Sequence, residues 1–316
     1  MSCKETPNPE PSIAEGKFNT MGPCRKGKKL GSLVSDSNCD LDVSVQIITL
    51  NEAADISDCL SAVAAQKVTE ILIIDGGSTD DTCEIAASHG AVVISAPDLG
   101  RGAARALGYQ STQHRYVAMV DADDRVPPGW LESLLLELQA GDYAALQGSL
   151  RVKDPVNFWE RGWNEYFIES IQPTVKSRMV GHPAVYTRED LVATLNDIGH
   201  DHEDTQLSIL YEQRGLRQGI SAAVSYRTVS GTWKENRDKW IAYGRGYRDL
   251  VRKHPEKGAS IRRHILWTIP ILRAWRPVLR KRWAQPLFGL AMGACVLWGY
   301  LDSRPSGRRR SKTLDE

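Results

Sequence analysis

Three short runs of branched apolar residues, each ending on polar or acidic groups, limit what this chain can fold into. Val43 to Ile48 runs into Thr49, Leu50, Asn51 and Glu52; Glu70 to Ile74 ends at Asp75; Tyr116 to Val120 ends at Asp121, Ala122, Asp123 and Asp124. Runs this rich in Val and Ile, with little polar alternation, suit strands covered on both faces. Between them the spacing predicts helices over Ile56 to Gln66, with Leu60 and Val63 on one side, over Asp81 to His89, and from the Gly100 to Gly102 loop through Tyr109. A further strand is predicted from Ala91 to Ser95. Strand and helix alternating in short units predict an α/β fold, a mostly parallel sheet with helices on both faces. Ligands of such sheets bind beyond the carboxyl ends of the strands. Asn51, Asp75 and Asp121, far apart in sequence, are therefore expected along one edge.

On an extended strand Asp121 and Asp123 point to the same side of the backbone. Two carboxylates held that close repel each other, and burial sharpens the repulsion. A divalent cation between them makes the arrangement favourable, and hard oxygen ligands suit Mg2+ or Mn2+ shared with a substrate's phosphates. A solvated acidic turn, capping a helix that begins near Pro127, fits the same residues, and Asp-x-Asp is too short to decide alone. The segment Gly100 to Arg105 matches a dinucleotide fingerprint only in part: Arg105 stands where the third glycine belongs, and the loop follows the third strand. Gly102 is read instead as letting the backbone approach a ligand, with Arg101 and Arg105 offering charge to phosphates. Surface arginines at a helix start are the plain alternative.

Charged residues make up 25% and hydrophobic ones 41% of the 316 residues, enough for a sizeable core. The formal net charge of +1 gives no global field to attract nucleic acid. Cys3, Cys24, Cys39, Cys59, Cys83 and Cys295 are scattered without metal-ligand spacing, so reduced thiols in a cytosolic setting are expected. Residues 1–41 are rich in Pro, Ser, Asn, Gly and Lys and are expected to form a disordered tail.

Together these segments resemble the family 2 glycosyltransferases of GT-A fold over roughly Val43 to Gly215. The resemblance rests on Thr49 to Glu52; on Ile74 to Asp80, close to the family's Asp-Asp-Gly-Ser-Thr-Asp; on Gly102 to Arg105; on Asp121 to Asp124; and on His202 to Thr205, in the family's order and spacing. At Gly76 many members carry Asp, which leaves Asp75 as the single acid there. The resemblance implies a Rossmann-like GT-A domain over residues 42–230, a nucleotide-diphosphate sugar donor, Mn2+ or Mg2+, and transfer with inversion. It implies that Thr49, Leu50, Asn51, Glu52, Asp75, Gly76, Ser78, Arg101, Arg105, Asp121 and Ala122 meet the nucleotide sugar. Asp121 and Asp123 would form the metal motif, Asp123 the more direct ligand, and Asp204 would be the catalytic base. Displacing a nucleoside diphosphate needs both: a Lewis acid on the leaving phosphates and a base for the acceptor hydroxyl. For Glu203 and Asp204, an N-cap on the following helix is a second job that Asp does well.

On the acceptor side stand Gly181, His182, Glu203 and Trp240. His182 is read as a contact to donor phosphate or sugar, or as a structural histidine. Trp159, Trp163, Tyr166 and Phe167 suit stacking on a sugar or packing in a core. Asn236 to Trp240 is only faintly similar to the Gln-x-x-Arg-Trp motif of processive members, so no polymerising activity is expected. Residues 231–258 are read as a helical acceptor-side extension.

From Arg262 onward the chain is basic and apolar. Arg273, Arg276, Arg280, Lys281 and Arg282 precede Trp283 to Leu301, a stretch without formal charge, and Arg308, Arg309 and Arg310 follow. Residues 259–316 are expected to associate with the cytoplasmic face of a membrane, through one spanning helix or an interfacial hairpin. A buried helix of the soluble domain is the alternative. The functional expectation is a metal-assisted, inverting glycosyltransferase acting on a glycan or lipid-linked acceptor. A nucleotidyltransferase on a similar sheet and an inactive membrane-bound scaffold are the rivals.

Overall fold

The structure is a computed structural model that describes residues 41–173, 181–195, 203–253, 255–258 and 284–302. Residues 1–40 of the expected N-terminal tail, the arginines between 262 and 282 and those at 308–310 lie outside the described residues, while Leu41, expected to end the tail, opens the first strand. The sheet has eight strands: β1 (Leu41–Thr49), β2 (Val68–Asp75), β3 (Val92–Ser95), β4 (Tyr116–Met119), β5 (Asp124–Arg125), β6 (Ala145–Arg151), β7 (Ala184–Thr187) and β8 (Gln218–Arg227). Their spatial order is β3-β2-β1-β4-β7-β6-β8-β5. Helices α1 (Ile56–Ala64), α2 (Thr82–Ser88), α3 (Arg101–Ser111), α4 (Trp130–Ala140), α5 (Phe158–Ser170), α6 (Arg188–Thr194), α7 (Glu203–Gln213), α8 (Trp233–Lys253) and α9 (Ala284–Leu301) complete it.

Strand periodicity of two explains the layering. Val43, Val45 and Ile47 of β1 and Tyr116 and Ala118 of β4 share one core with Leu60 and Val63 of α1 and Leu131, Leu134 and Leu138 of α4. The residues between them face the other way: Val117 and Met119 join Tyr109 of α3, Leu191 of α6 and Tyr211 of α7. The predicted sandwich of helices on both faces is what forms. Helix α3 lies close on β1 because Gly108 has no side chain; a Cβ there would stand 2.0 Å from the Gln46 amide. That amide in turn donates to the Arg105 carbonyl at 3.1 Å, fixing the height of α3 on the sheet.

The first four strands are parallel, β2 and β4 flanking β1 and β3 beyond β2. Beyond β4 the sheet is mixed: β7 runs antiparallel to β4 and β6, β8 is parallel to β6, and β5 antiparallel to β8. These later strands escape a reading of apolar runs because they bury Gln147, Ser149, Ser221 and Ser225. Two of the serine hydroxyls are satisfied between strands, Ser149 Oγ donating to the Ser221 carbonyl at 2.7 Å and Ser225 Oγ to the Ser149 carbonyl at 3.2 Å, and Ser221 Oγ donates to Glu137 of α4. A buried hydroxyl with a partner costs little, so polarity here does not betray exposure.

A second core lies against β6 and β8. Trp163 and Phe167 of α5, Trp240 and Leu250 of α8, and Phe288, Met292 and Val296 of α9 pack with Leu150, Ile209 and Ile220. Helices α8 and α9 touch backbone to backbone: a Cβ on Gly244 would meet the Val296 carbonyl at 2.0 Å, and one on Gly299 the Ile241 carbonyl at 2.1 Å. A helix crossing a bilayer is one of the two membrane arrangements expected for Trp283 to Leu301. Among the described residues no helix is long and apolar enough to do so, and one side of α9 is buried in the protein. The same core decides the aromatic question: Trp163 and Phe167 are buried in it, and Trp159 and Tyr166 pack against it.

Candidate active site

The acidic residues gather in a turn rather than on a strand. Strand β4 ends at Met119, and the Asp124 amide donates to the Asp121 carbonyl at 2.9 Å, closing a tight turn. Turn geometry, not strand alternation, therefore brings Asp121 near Asp123. The turn is braced from below. Arg125 donates to the Ala122 and Asp124 carbonyls and to Asp55 of the α1 N-terminus. The Thr228 amide donates to the Asp123 carbonyl at 2.9 Å, and β5 pairs Asp124 directly with Arg227 of β8. Ala122 points into the first core, so only its backbone is left to face a ligand.

Two arginines neutralise most of this charge. Arg105, carried by α3, donates to Asp121 Oδ1 at 2.7 Å. Arg227 donates Nε to Asp124 Oδ1 at 2.7 Å and Nη2 to Asp121 Oδ2 and Asp124 Oδ2, both at 2.8 Å. Burial alone would raise all three carboxyls. For Asp121 the two guanidiniums prevail and hold it well below the ordinary carboxylate range. Asp123 stays raised by burial, with Asp121 adding to the rise against the pull of Arg227. Ligand oxygens of Asp121, Asp123 and Asp124 lie within 4.8 Å of one another, close enough to share one ion. Asp123 Oδ1 is buried without a hydrogen bond, 3.5 Å from Arg227 Nε. The residues thus fit a hard cation, with Asp123 as the carboxylate that has coordination to spare.

The loops after β1 and β2 are zipped into one wall. Asn51, in the left-handed region at φ 57°, accepts from the Thr79 amide at 2.8 Å while its own amide donates to Ser78 Oγ. The Glu52 amide donates to Thr82 Oγ1, and the Ala53 amide to Asp80. Asp75 sits behind this wall. It accepts from Thr49 Oγ1, from Ser78 Oγ and from the Gly77 and Ser78 amides. Burial pushes its carboxyl up, but these donors together bring it below its usual value. With both oxygens filled, Asp75 shapes the wall, while Leu50 and Asn51 are exposed at its face. Gly76 closes the seam through its amide to the Thr49 carbonyl at 2.8 Å. Glu52 faces the turn: burial first, then the charges of Asp123, Asp55 and Asp121, raise its carboxyl to about 7.

Asp204 reaches the same place from another part of the chain. Glu203 opens α7 and Asp204 follows it. A Cβ on Gly181 would stand 3.3 Å from Asp204 Oδ2, and Gly181 has φ 151°, a backbone that side chains disfavour. Its neighbour His182 accepts Arg227 Nη2 at its carbonyl, 3.2 Å away, so the line from Asp204 to the acidic turn runs through two residues. Asp204 Oδ1 also accepts from the Thr205 amide at 2.6 Å, leaving Oδ2 toward Gly181. His182 is buried, with no hydrogen bond to either ring nitrogen. Burial and then Arg105 bring its pKa down to about 3, so the ring is neutral at physiological pH and keeps one donor and one acceptor for a ligand.

Trp240 is not at this site; it is wholly buried among Trp159, Trp163, Trp233 and Phe288. Arg101 is exposed at the start of α3, near enough to lower Asp121 further. Three residues escaped the sequence reading. Asp124, passed over as a ligand, is the turn's buried anchor. Arg227, a lone arginine at the end of an unremarkable strand, carries no local signal. Lys239 lies over the Trp163 ring, 5.6 Å from its centroid, and near enough to Asp123 to favour the ionised carboxylate; it stood in a segment read only for its tryptophan.

Comparison with known proteins agrees with this geometry. Residues 44–194 match the family model described as glycosyl transferase family 2. A glycosyltransferase of Mycobacterium tuberculosis, without an assigned reaction, is 37% identical over 99 residues, 31% of this chain and 44% of that protein. A low-salt glycan biosynthesis hexosyltransferase of Haloferax volcanii is 36% identical over 122 residues, 37% of this chain and 29% of the relative. The match thus spans less than half the length of either relative. Among solved structures, a mannosyltransferase of Pyrobaculum calidifontis in complex with GDP-Man and Mn2+ superposes with a TM-score of 0.57 at 16% identity, over 83% of this chain and 88% of that one. Glucosyl-3-phosphoglycerate synthase of Mycobacterium tuberculosis, in complex with Mn2+, UDP and its product, gives a TM-score of 0.50 at 20% identity, over 67% and 79%. Residues 44–194 thus match glycosyl transferase family 2, and the sheet that carries the acidic turn has the GT-A fold.

Proposed function

We propose that this chain transfers a hexose from a nucleoside-diphosphate sugar to an acceptor hydroxyl, with inversion at the anomeric carbon in one displacement. The observation that carries the reading is the convergence of Asp204 on the acidic turn through Gly181, His182 and Arg227. A single displacement needs a base beside the incoming hydroxyl and positive charge beside the departing diphosphate. Asp204 Oδ2 takes the acceptor proton. Arg105 and Arg227 meet the negative charge that develops on the leaving group, and neutral His182 offers a hydrogen bond to phosphate or sugar. Asp123 would hold a Mn2+ or Mg2+ ion, which when bound would supply Lewis-acid charge to the same phosphates. The zipped wall of Asn51, Glu52 and Ser78 lines the nucleotide. The ligands of the two structural neighbours, GDP-Man and UDP with Mn2+, support this donor class.

A thermal-shift series with UDP, GDP and dTDP, each with and without Mn2+, is expected to show one nucleotide that stabilises only with the metal. Asp123→Asn should weaken that metal-dependent binding by about a hundredfold or more, because even outer-shell partners of a metal are worth 10- to 100-fold. Unchanged affinity in calorimetry would remove Asp123 as ligand. Release of pyrophosphate rather than nucleoside diphosphate would favour the nucleotidyltransferase.

The acceptor is read as a lipid-linked glycan precursor at the cytoplasmic face of a membrane, on a specific feature of α9. Leu287, Leu290, Trp298 and Leu301 are 62%, 42%, 64% and 72% exposed. At about 100° per residue they form one stripe opposite the buried Phe288, Met292 and Val296. Arginines crowd the sequence on either side of the helix, which suits an anionic interface. Co-sedimentation with vesicles containing anionic lipid is expected, and Leu287→Ser with Trp298→Ser should weaken it about tenfold. Equal sedimentation of the variant would take the stripe out of the reading.

A further inference from the structure

We infer that Arg227 is the resident counter-ion of the acidic turn, competing with a free divalent cation and passing to the diphosphate when donor and metal bind together. The inference rests on the donor reading above and adds an order to it: the metal enters with the nucleotide and not before. Three carboxylates face two guanidiniums, and the donors are not spread evenly. Arg105 and Arg227 occupy both oxygens of Asp121, and Arg227 and the Asp121 amide occupy both oxygens of Asp124. Asp123 alone has an oxygen outside this hydrogen-bond net, and the Arg227 Nε stands 3.5 Å from it.

A hard cation needs about six oxygens and meets here one uncommitted carboxylate with a guanidinium beside it. Free metal is therefore held weakly. A nucleoside diphosphate changes both terms: its phosphate oxygens complete the coordination, and they accept the N–H groups that Arg227 withdraws from Asp121. Arginine suits the exchange because its fork fits carboxylate and phosphate alike and stays charged throughout. The two bonds to Asp124, from Nε and from Nη2, hold the guanidinium in the turn, so that only the Nη2 bond to Asp121 has to be exchanged for phosphate.

The test is calorimetric titration of the full chain with Mn2+ alone, with UDP or GDP alone, and with both. For Arg227→Gln the expected changes have opposite signs: affinity for Mn2+ alone rises at least about tenfold, and affinity for the nucleotide in the presence of Mn2+ falls about tenfold. A purely structural arginine gives a different result, with both affinities falling or neither moving, and that result overturns the inference. Because Arg227→Gln leaves Asp124 buried without its partner, the double variant Asp124→Asn with Arg227→Gln is measured beside it. It replaces the buried ion pair by two amides and also removes one carboxylate from the group, so it is read against Asp124→Asn alone, over which affinity for Mn2+ is expected to rise. No rise in either folded variant rejects the proposal. If the unaltered chain binds no nucleotide with Mn2+, the donor reading fails instead, so the two failures are told apart.

Discussion

Asp204→Asn is expected to lower the transfer rate by about 10²- to 10⁴-fold while donor affinity changes by less than about threefold. The amide is isosteric and still accepts the Thr205 amide through its oxygen, so the start of α7 is kept. What disappears is the capacity to take a proton. Donor affinity is predicted to survive because the groups that meet the nucleotide and diphosphate, the zipped wall, Arg105, Arg227 and Asp123, belong to other elements. Single-turnover transfer with donor binding measured separately by calorimetry decides the matter. A variant that keeps full transfer removes Asp204 as base. One that loses donor binding in parallel moves it to the donor side of the site.

That Asp204 and the acidic turn belong to one site was legible from sequence only through the order of short motifs. Its physical basis was not, because it depends on Gly181 allowing the α7 carboxylate within 3.3 Å of where a Cβ would be. The parallel half of the sheet could be read from Val43 to Ile48 and Ile71 to Ile74, since buried parallel strands must be apolar on both faces. The mixed half could not, because Ser149, Ser221 and Ser225 are buried as hydrogen-bonded pairs and look like loop residues in a row of letters. Asp75 shows a similar limit: an acid at a strand end reads as a ligand, whereas here four internal donors use it to hold a loop. Arg227 is the sharpest case. Nothing within ten residues marks it, and its meaning comes only from the pairing of β8 with the turn, 103 residues away from Asp124 in sequence.

The largest expected loss of stability comes from the helix whose sequence looked most like a membrane segment. Phe288→Ala is expected to reduce the unfolding free energy by about 3–5 kcal/mol, measured by chemical denaturation without detergent. Phe288 is fully buried, its ring 5.2 Å from that of Trp240 and 5.4 Å from that of Trp163, and it rests on Gly162, where a Cβ would stand 2.2 Å from the ring. Truncation leaves a void walled by three helices that cannot collapse, because α8 and α9 already touch at Gly244 and Gly299. Leu287→Ala, one residue earlier and on the exposed side, should change stability by no more than about 0.5 kcal/mol. The contrast between neighbours separates two roles for one apolar helix. A helix held only by lipid would lose nothing in water from either substitution, and equal, small effects at both positions would remove α9 from the folded unit. A large effect at Phe288 alone means that the buried face belongs to the protein, leaving only the stripe of Leu287, Leu290, Trp298 and Leu301 for an outside partner.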